Sequence, residues 1–430
     1  MLEDPSTWLV IGGAGAVAFY MAWSIGANDV ANSMATSVGA KAITFKQAVL
    51  IAGTLNILGA ILVGKHVTHT IKGEIIKISA DAQGNILPGD VNALILGFLA
   101  SILAAAIWVT LSTWKEMPIS TTHSIIGALV GFGLIQWGVC CVNWAQLGFV
   151  ASSWVLSPVF GCIIAFFVFK IIVKLIFAKE EPVESAKIVG PFIIGSTAFL
   201  ITAALLLETT LSEQLGISGN YLVIFLIAIF VLISITSISL FLLRKIKAHG
   251  LEDYTTVEGI FRKMQVITAC YVAFSHGAND VANAIAPVAG IMGIVEGSTQ
   301  GMVKISALNA EIHIELLLLG GIGIAIGCMT WGRKVMKTVG GKITHLNHTR
   351  GFSVEFAAAT TVLAASKLGM PVSTSHTVVG AVIGVGLARG LDAIDMSVIK
   401  KIVTSWLLTV PVAAATAAGI FVILKTLFIG

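Results

Sequence analysis

Twelve apolar stretches, near residues 6–25, 47–64, 91–112, 119–138, 145–178, 189–207, 221–243, 264–275, 305–332, 352–365, 371–388 and 402–428, leave this chain few ways to fold. About twenty residues of helix cross the ~30 Å hydrocarbon layer of a bilayer. No water reaches that layer to satisfy backbone N–H and C=O groups, so only helices or a closed barrel can span it. Stretches this long exclude the barrel. Composition agrees: 57% of the 430 residues are hydrophobic and 11% charged, against roughly 45–50% and 25% in soluble chains. The expected fold class is therefore an all-α polytopic membrane protein with about 12 transmembrane helices, set in the cell membrane with the lipid bilayer as its solvent. The start MLEDPSTWLV carries acids where a signal peptide carries bases, so the first stretch is expected to stay in place. A net charge of +4 without a basic tail argues against a nucleic-acid partner. The five cysteines lie in apolar runs without C-x-x-C spacing and read as small buried hydrophobes.

The chain is duplicated. SIGANDVANS at 24–33 returns as SHGANDVANA at 275–284, identical at eight of ten positions, and MPISTTHSIIGALVGFGL at 117–134 returns as MPVSTSHTVVGAVIGVGL at 370–387, identical at ten of eighteen. A third pair, Ser153-Trp154 with Ser405-Trp406, keeps nearly the same offset. This divides the chain into a first repeat (1–184), a central two-helix connecting segment (185–260) and a second repeat (261–430). The stretches at 264–275 and 352–365 are short and run into Gly-rich polar segments, which is how broken or re-entrant helices read.

Charge gives the repeats a direction. With twelve crossings and the amino terminus outside, the inner loops hold Lys170, Lys174 and Lys179, then Arg244, Lys245 and Lys247, then Arg333, Lys334, Lys337, Lys342 and Arg350, then Arg389, Lys400 and Lys401. The outer loops near 139–146, 209–220 and 291–300 hold no Lys or Arg, as the positive-inside rule requires. Loop 66–90 has two lysines against Glu74, Asp81 and Asp90, whereas its counterpart 333–350 has five bases and no acid. Equivalent loops thus fall on opposite sides, the mark of inverted-topology repeats; the rival arrangement, in which 119–138 alone is re-entrant and does not cross, would make the halves parallel and put several basic loops outside. Such repeats are common in secondary transporters, whose substrate sites lie near the midplane where the halves meet. Both termini are expected outside.

Asp29 and Asp280 stand out chemically, because a carboxylate at membrane depth costs at least about 2.5–3.5 kcal/mol. With Asn32 and Asn283 one turn further on, and main-chain carbonyls exposed at a helix break, they offer oxygen ligands to a hard cation. Ser120, Thr121 and Thr122, mirrored by Ser373, Thr374 and Ser375, follow Pro118 and Pro371, and proline in a first turn marks a helix start. Hydroxyls and free amides at a helix amino terminus make an anion site. Gly127 and Gly131, with Gly380 and Gly384, form G-x-x-x-G and are expected to let the two hairpins approach each other. His123 and His376 recur without a role that spacing alone assigns. His66-x-x-His69 and His345-x-x-His348 read as solvated loop histidines, and Glu311 and Glu315 are unduplicated carboxylates of open role.

At these residues the chain resembles the inorganic phosphate transporter family called PiT. GANDVAN at 26–32 and 277–283 looks like that family's duplicated signature, and P-x-S-T-[TS]-H at 118–123 and 371–376 like its second repeated element. The resemblance covers both repeats. It implies import of inorganic phosphate by cation symport, and commonly a homodimer. It also implies that Asp29 and Asp280 with Asn32 and Asn283 bind sodium, and that the Ser/Thr clusters with Asn28 and Asn279 contact phosphate. Intact Asn28-Asp29 and Asn279-Asp280 look like the sodium-coupled branch, with proton coupling as the alternative and no organic cofactor. Sulfate carriage is the nearest other carrier reading, since a tetrahedral dianion could use the same hydroxyls. The absence of H-E-x-x-H and G-x-S-x-G motifs argues against a hydrolytic enzyme.

Overall fold

The computed structural model describes residues 5–429 apart from 74, 79–80, 82–83, 209–211, 213–214, 247–252, 300–301, 310, 334, 337–345 and 391–393. Thirteen α-helices stand among the described residues. In the first repeat they are α1 (Pro5–Gly39), α2 (Phe45–Val63), the short α3 (Lys65–Gly73), α4 (Pro88–Trp114), α5 (Thr121–Trp137) and α6 (Trp144–Ile172). The centre holds α7 (Pro182–Glu208) and α8 (Tyr221–Leu243), which pack on each other. The second repeat holds α9 (Asp253–Glu296), α10 (Ile314–Thr330), α11 (His348–Lys367), α12 (Thr374–Arg389) and α13 (Met396–Phe428). Eight helices are long and apolar enough to cross a membrane, and α10 is a shorter apolar one.

Local chemistry sets the ends of these helices. Thr44 and Gln47 form a reciprocal capping box that starts α2, and Asn220, Asn347 and Asp395 cap α8, α11 and α13 with their side chains. The helices α5 and α12 stop at matching glycines, Gly138 at φ +80° and Gly390 at φ +118°, a backbone region that side chains other than glycine's rarely enter.

Loops gather at two ends in the same two groups that the charges indicate. At one end the strands β1 (Asn85–Ile86), β2 (Ser298–Thr299) and β3 (Met302–Lys304) form an antiparallel sheet with order β1-β3-β2, and Ile76 bridges to Val142. At the other, Arg262 Nε donates to the Ala42 carbonyl at 3.3 Å, Asn347 Nδ2 donates to Glu258 at 2.8 Å, and the rings of Phe177 and Tyr254 stack.

The helices α4 and α5 form a hairpin that enters and leaves at the first end, since Trp137 Nε1 in α5's last turn donates to Asp90 in α4's first turn at 2.7 Å. In α11 and α12 the hairpin is mirrored from the second end, with Arg350 in α11's first turn within electrostatic reach of Arg389 in α12's last. The re-entrant character expected near 352 is therefore present, and it extends to 119–138. Because a hairpin returns to the side it entered, the sidedness of all other loops is unchanged. The break expected near 264 is absent: that stretch is the middle of α9, a continuous helix of 44 residues.

Packing between the halves is exchanged. In this arrangement α1 lies on α10 while its counterpart α9 lies on α2, and α6 lies on α12 while its counterpart α13 lies on α5. Lipid supplies no hydrophobic drive to hold helices together, so close backbone approach does it. A Cβ at Gly26 would lie 1.9 Å from the Ile324 carbonyl oxygen, and one at Gly277 would lie 2.2 Å from that of Asn56. The G-x-x-x-G pairs do the same, though not as expected from sequence. Gly127 and Gly131 face Val410 and Ala414 of α13, and Gly380 and Gly384 face Pro158 and Cys162 of α6, so the glycine faces of the hairpins dock on the other repeat's last helix. Gly131→Val, whose Cβ would meet the Ala414 oxygen at 2.2 Å, should cost on the order of 1–3 kcal/mol. It should lower the thermal midpoint of the detergent-solubilised protein. Gly12→Ala, with nothing within 4 Å, should not; equal midpoints for both variants would contradict this packing.

Candidate ion and anion site

The signature segments lie in mid-helix, not at a helix break. Both α1 and α9 run unbroken through GANDVAN, so the exposed carbonyls expected there are not available. Breaks fall instead ahead of the second motif, where each hairpin turns and α5 and α12 begin at Thr121 and Thr374. Ser120 and Ser373 are the caps, their hydroxyls accepting from the backbone N–H of His123 and His376 at 3.1 and 3.2 Å.

Those two helix starts converge on the aspartates. Asp29 and Asp280 are 1% and 0% exposed, and one oxygen of each, with a ring nitrogen of His276, lies in a cluster with all three atoms within 4.8 Å of one another. Thr121 Oγ1 stands between the carboxylates, 3.0 Å from Asp29 Oδ2 and 3.2 Å from Asp280 Oδ1. Asn32 Nδ2 donates to Asp29 Oδ1 at 3.0 Å and to Ser375 Oγ at 2.8 Å, with Thr374 Oγ1 at 3.3 Å. In the other half Asn283 Nδ2 donates to Asp280 Oδ1 at 2.9 Å and to Thr122 Oγ1 at 3.1 Å, with Thr121 Oγ1 at 3.3 Å. Each signature helix therefore serves the hairpin of the opposite repeat. Asp280 Oδ2 and Asn283 Oδ1, both buried, accept no hydrogen bond.

Asn28 and Asn279 take a different place. Asn28 Nδ2 donates to Thr113 Oγ1 at 2.9 Å and the Met117 carbonyl at 3.1 Å, while its Oδ1 accepts from the Ile119 N–H at 3.3 Å. Asn279 Nδ2 donates to the Val372 carbonyl at 2.9 Å, and its Oδ1 accepts from Ser366 Oγ at 3.4 Å. Each asparagine pins the turn of its own repeat's hairpin. The hairpin tips are also tied across, Thr122 Oγ1 donating to the Val372 carbonyl at 3.0 Å and Ser375 Oγ to that of Ile119 at 2.9 Å.

Chemically the cluster joins two opposed capacities. Two carboxylates, amide oxygens and hydroxyls suit a hard cation. Two helix amino termini, whose first-turn amides lack intrahelical partners, suit an anion.

Two functional candidates escape the repeat logic. His276 stands where the first signature has Ile25; its Nε2 is 3.4 Å from Asp280 Oδ2 and 3.9 Å from Asp29 Oδ2, and comparison of the two copies could have flagged it. Glu355, 1% exposed, accepts from Thr36 and Ser37 of α1 and from Gln265 and Thr268 of α9, Ser37 and Thr268 both at 2.7 Å. Its signal was a lone acid in the apolar stretch 352–365. This cluster also joins the C-terminal end of α1 to the N-terminal half of α9, so the two signature helices run antiparallel.

The remaining candidates lie elsewhere. Glu311 and Glu315 are exposed. His66 and His69 belong to α3 and not to a loop, His348 contacts Gln265 Oε1 at 3.0 Å, and His345 lies outside the described residues.

A polytopic helical protein with two buried carboxylates at the amino termini of two hairpin helices has the architecture of a membrane transporter, and the comparisons with known proteins define that class. The phosphate transporter family model matches residues 25–417, and the chain belongs to that family. It is 47% identical to a candidate phosphate permease of Thermococcus kodakarensis over 98% of each chain. It is 41% identical to the chloroplastic inorganic phosphate transporter 2-1 of Arabidopsis thaliana, over 93% of this chain and 69% of that one. A solved structure described as the sodium-dependent phosphate transporter matches with a TM-score of 0.85 and 43% identity, covering 98% of this chain and 100% of that one.

The pinned turns generate a stability prediction. Asn28→Leu and Asn279→Leu each leave buried main-chain and hydroxyl groups unpaired, at about 1–3 kcal/mol per lost partner. Both should lower the unfolding midpoint of the purified protein, Asn28→Leu by more because it makes three such contacts; an unshifted midpoint for both would mean the turns are held by other means.

Proposed function

We propose that this protein imports inorganic phosphate by sodium symport through alternating access. The observation that carries the reading is the meeting of Asp29 and Asp280 at the amino termini of α5 and α12, one helix from each repeat. Cations held by the aspartates with Asn32 and Asn283 neutralise them and release the hydroxyls of Thr121 and Ser375 toward phosphate, with those of Thr122 and Thr374 beside them. The amides following Ser120 and Ser373 complete the anion cradle. Asn28 and Asn279 act on phosphate through the hairpin turns they pin. The similar solved structure is described as a sodium-dependent phosphate transporter, which supports the choice of ion.

Energetics favours paired cations. Each elementary charge crossing the membrane is worth about 2.3 kcal/mol per 100 mV, so carrying a dianion inward costs roughly 4.6 kcal/mol against an inside-negative potential. Two sodium ions cancel that charge, matching two carboxylates, and a third would make uptake electrogenic. The exchanged packing and the antiparallel signature helices support two inverted repeats (1–184 and 261–430) joined by the 185–260 segment, and the Lys and Arg distribution favours both termini outside. The functional unit is a homodimer, as the family resemblance implies. His276 beside both carboxylates favours one second reading, proton symport.

Labelled-phosphate uptake into proteoliposomes tests the proposal. An inward sodium gradient should drive accumulation that an equal potassium gradient, with pH clamped, does not; accumulation following only a pH gradient would establish the proton reading instead. Asp29→Asn or Asp280→Asn should reduce sodium-driven uptake at least about 100-fold, equivalent to ~2.7 kcal/mol. Ser375→Ala should raise the phosphate KM about tenfold, the worth of one charge-assisted hydrogen bond. Near-normal uptake in both aspartate variants would remove the cation role.

A further inference from the structure

Behind the Ser/Thr clusters, four rings form a continuous stack. Trp154 of α6 lies against His123 of α5 with ring centroids 3.8 Å apart, His123 meets His376 of α12 edge-on at 4.4 Å, and His376 lies against Trp406 of α13 at 3.6 Å. Both histidines are within 5% of full burial. Each stands three residues past the Ser cap that holds its backbone N–H, so its main chain is fixed at the start of its helix and its ring is held by the neighbouring rings. Each Trp rides on a helix that packs on the opposite repeat's hairpin, α6 on α12 and α13 on α5. The stack therefore runs from one repeat to the other, through both helix amino termini. It gives a purpose to the third duplicated element, Ser153-Trp154 and Ser405-Trp406, which supplies no group to the ion site. Ser153 Oγ adds a contact at 3.4 Å to the carbonyl of Pro371 in the second hairpin's turn.

The two helix starts must present their hydroxyls and amides at one separation to bridge a tetrahedral oxyanion. On the side facing the aspartates, the cross-ties from Thr122 and Ser375 run to main-chain carbonyls through hydroxyls that an arriving anion would compete for. Those ties cannot hold the spacing once phosphate claims their donors. The rings can, because their face and edge contacts use none of the hydroxyls or helix amides offered to the anion.

We propose that the Trp154–His123–His376–Trp406 stack is the spacer that holds the two helix amino termini at the separation an oxyanion needs. These are positioning residues, which set phosphate affinity without touching phosphate. The inference rests on the phosphate reading above.

Uptake kinetics in proteoliposomes separate this from plain packing. His123→Ala and His376→Ala, each opening the stack, should raise the phosphate KM about tenfold, ~1.4 kcal/mol. The maximal rate per folded transporter and the sodium half-saturation should stay within about twofold of wild type. His123→Phe, which keeps a ring, should restore KM. If an alanine variant does not fold, His123→Leu, which fills the space without a ring face, should show the same raised KM. An unchanged KM, a fall in maximal rate alone, or failure of His123→Phe to restore KM would overturn the spacer. Absence of phosphate uptake by the wild-type protein would instead defeat the transport reading, and the spacer with it.

Discussion

Burying Asp29 and Asp280 so that their oxygens fall within a cluster spanning 4.8 Å imposes a cost that every neighbouring element helps to meet. Two like charges at that separation repel by about 3–4 kcal/mol at an effective dielectric near 20, and each carboxylate has also left water. The amino termini of α5 and α12 point at them, Thr121 stands between them, and Asn32 and Asn283 donate to them. None of these donors carries a formal charge. What neutral donors leave unbalanced, bound cations can balance, and the same donors then become free for an anion. In the proposed reading, a site with no lysine or arginine and with His276 as its one titratable base would make anion binding conditional on cations, the thermodynamic requirement for coupled carriage.

Exchange of packing between the repeats gives this site its mobility options. Each hairpin docks through bare glycine backbone on the last helix of the other repeat, and each signature helix hydrogen-bonds the other repeat's hairpin. Both helix starts and both carboxylates are therefore linked to elements of both repeats. The two hairpins enter from opposite ends, a symmetry that the proposed alternating access would use.

Much of this was legible in the sequence because membrane burial makes polar residues conspicuous. Asp29, Asp280, Asn32, Asn283 and the Ser/Thr clusters appear twice and meet in space. Other features were hidden for physical reasons. A helix break was expected at the signature because a short apolar stretch runs there into a Gly-rich polar segment, but α1 and α9 stay continuous, with Gly26 packed tightly on α10 and Gly277 on α2. The G-x-x-x-G pattern marks close approach without saying to what, and exchange between repeats redirected it to α13 and α6. His276 and Glu355 break the internal symmetry, so a reading guided by repetition passed over them. Trp154 and Trp406 repeat clearly, yet only the three-dimensional stack reveals which rings they cover.

Equilibrium binding of labelled phosphate to the purified protein, titrated with sodium at constant ionic strength and pH with choline as the replacement ion, tests the central claim most directly. If cations on Asp29 and Asp280 free the donors for the anion, phosphate affinity should rise steeply with sodium and be lost in choline, and Asp280→Asn should flatten the sodium dependence. Phosphate binding of equal affinity in sodium and in choline would contradict it, placing the anion outside the influence of the two carboxylates.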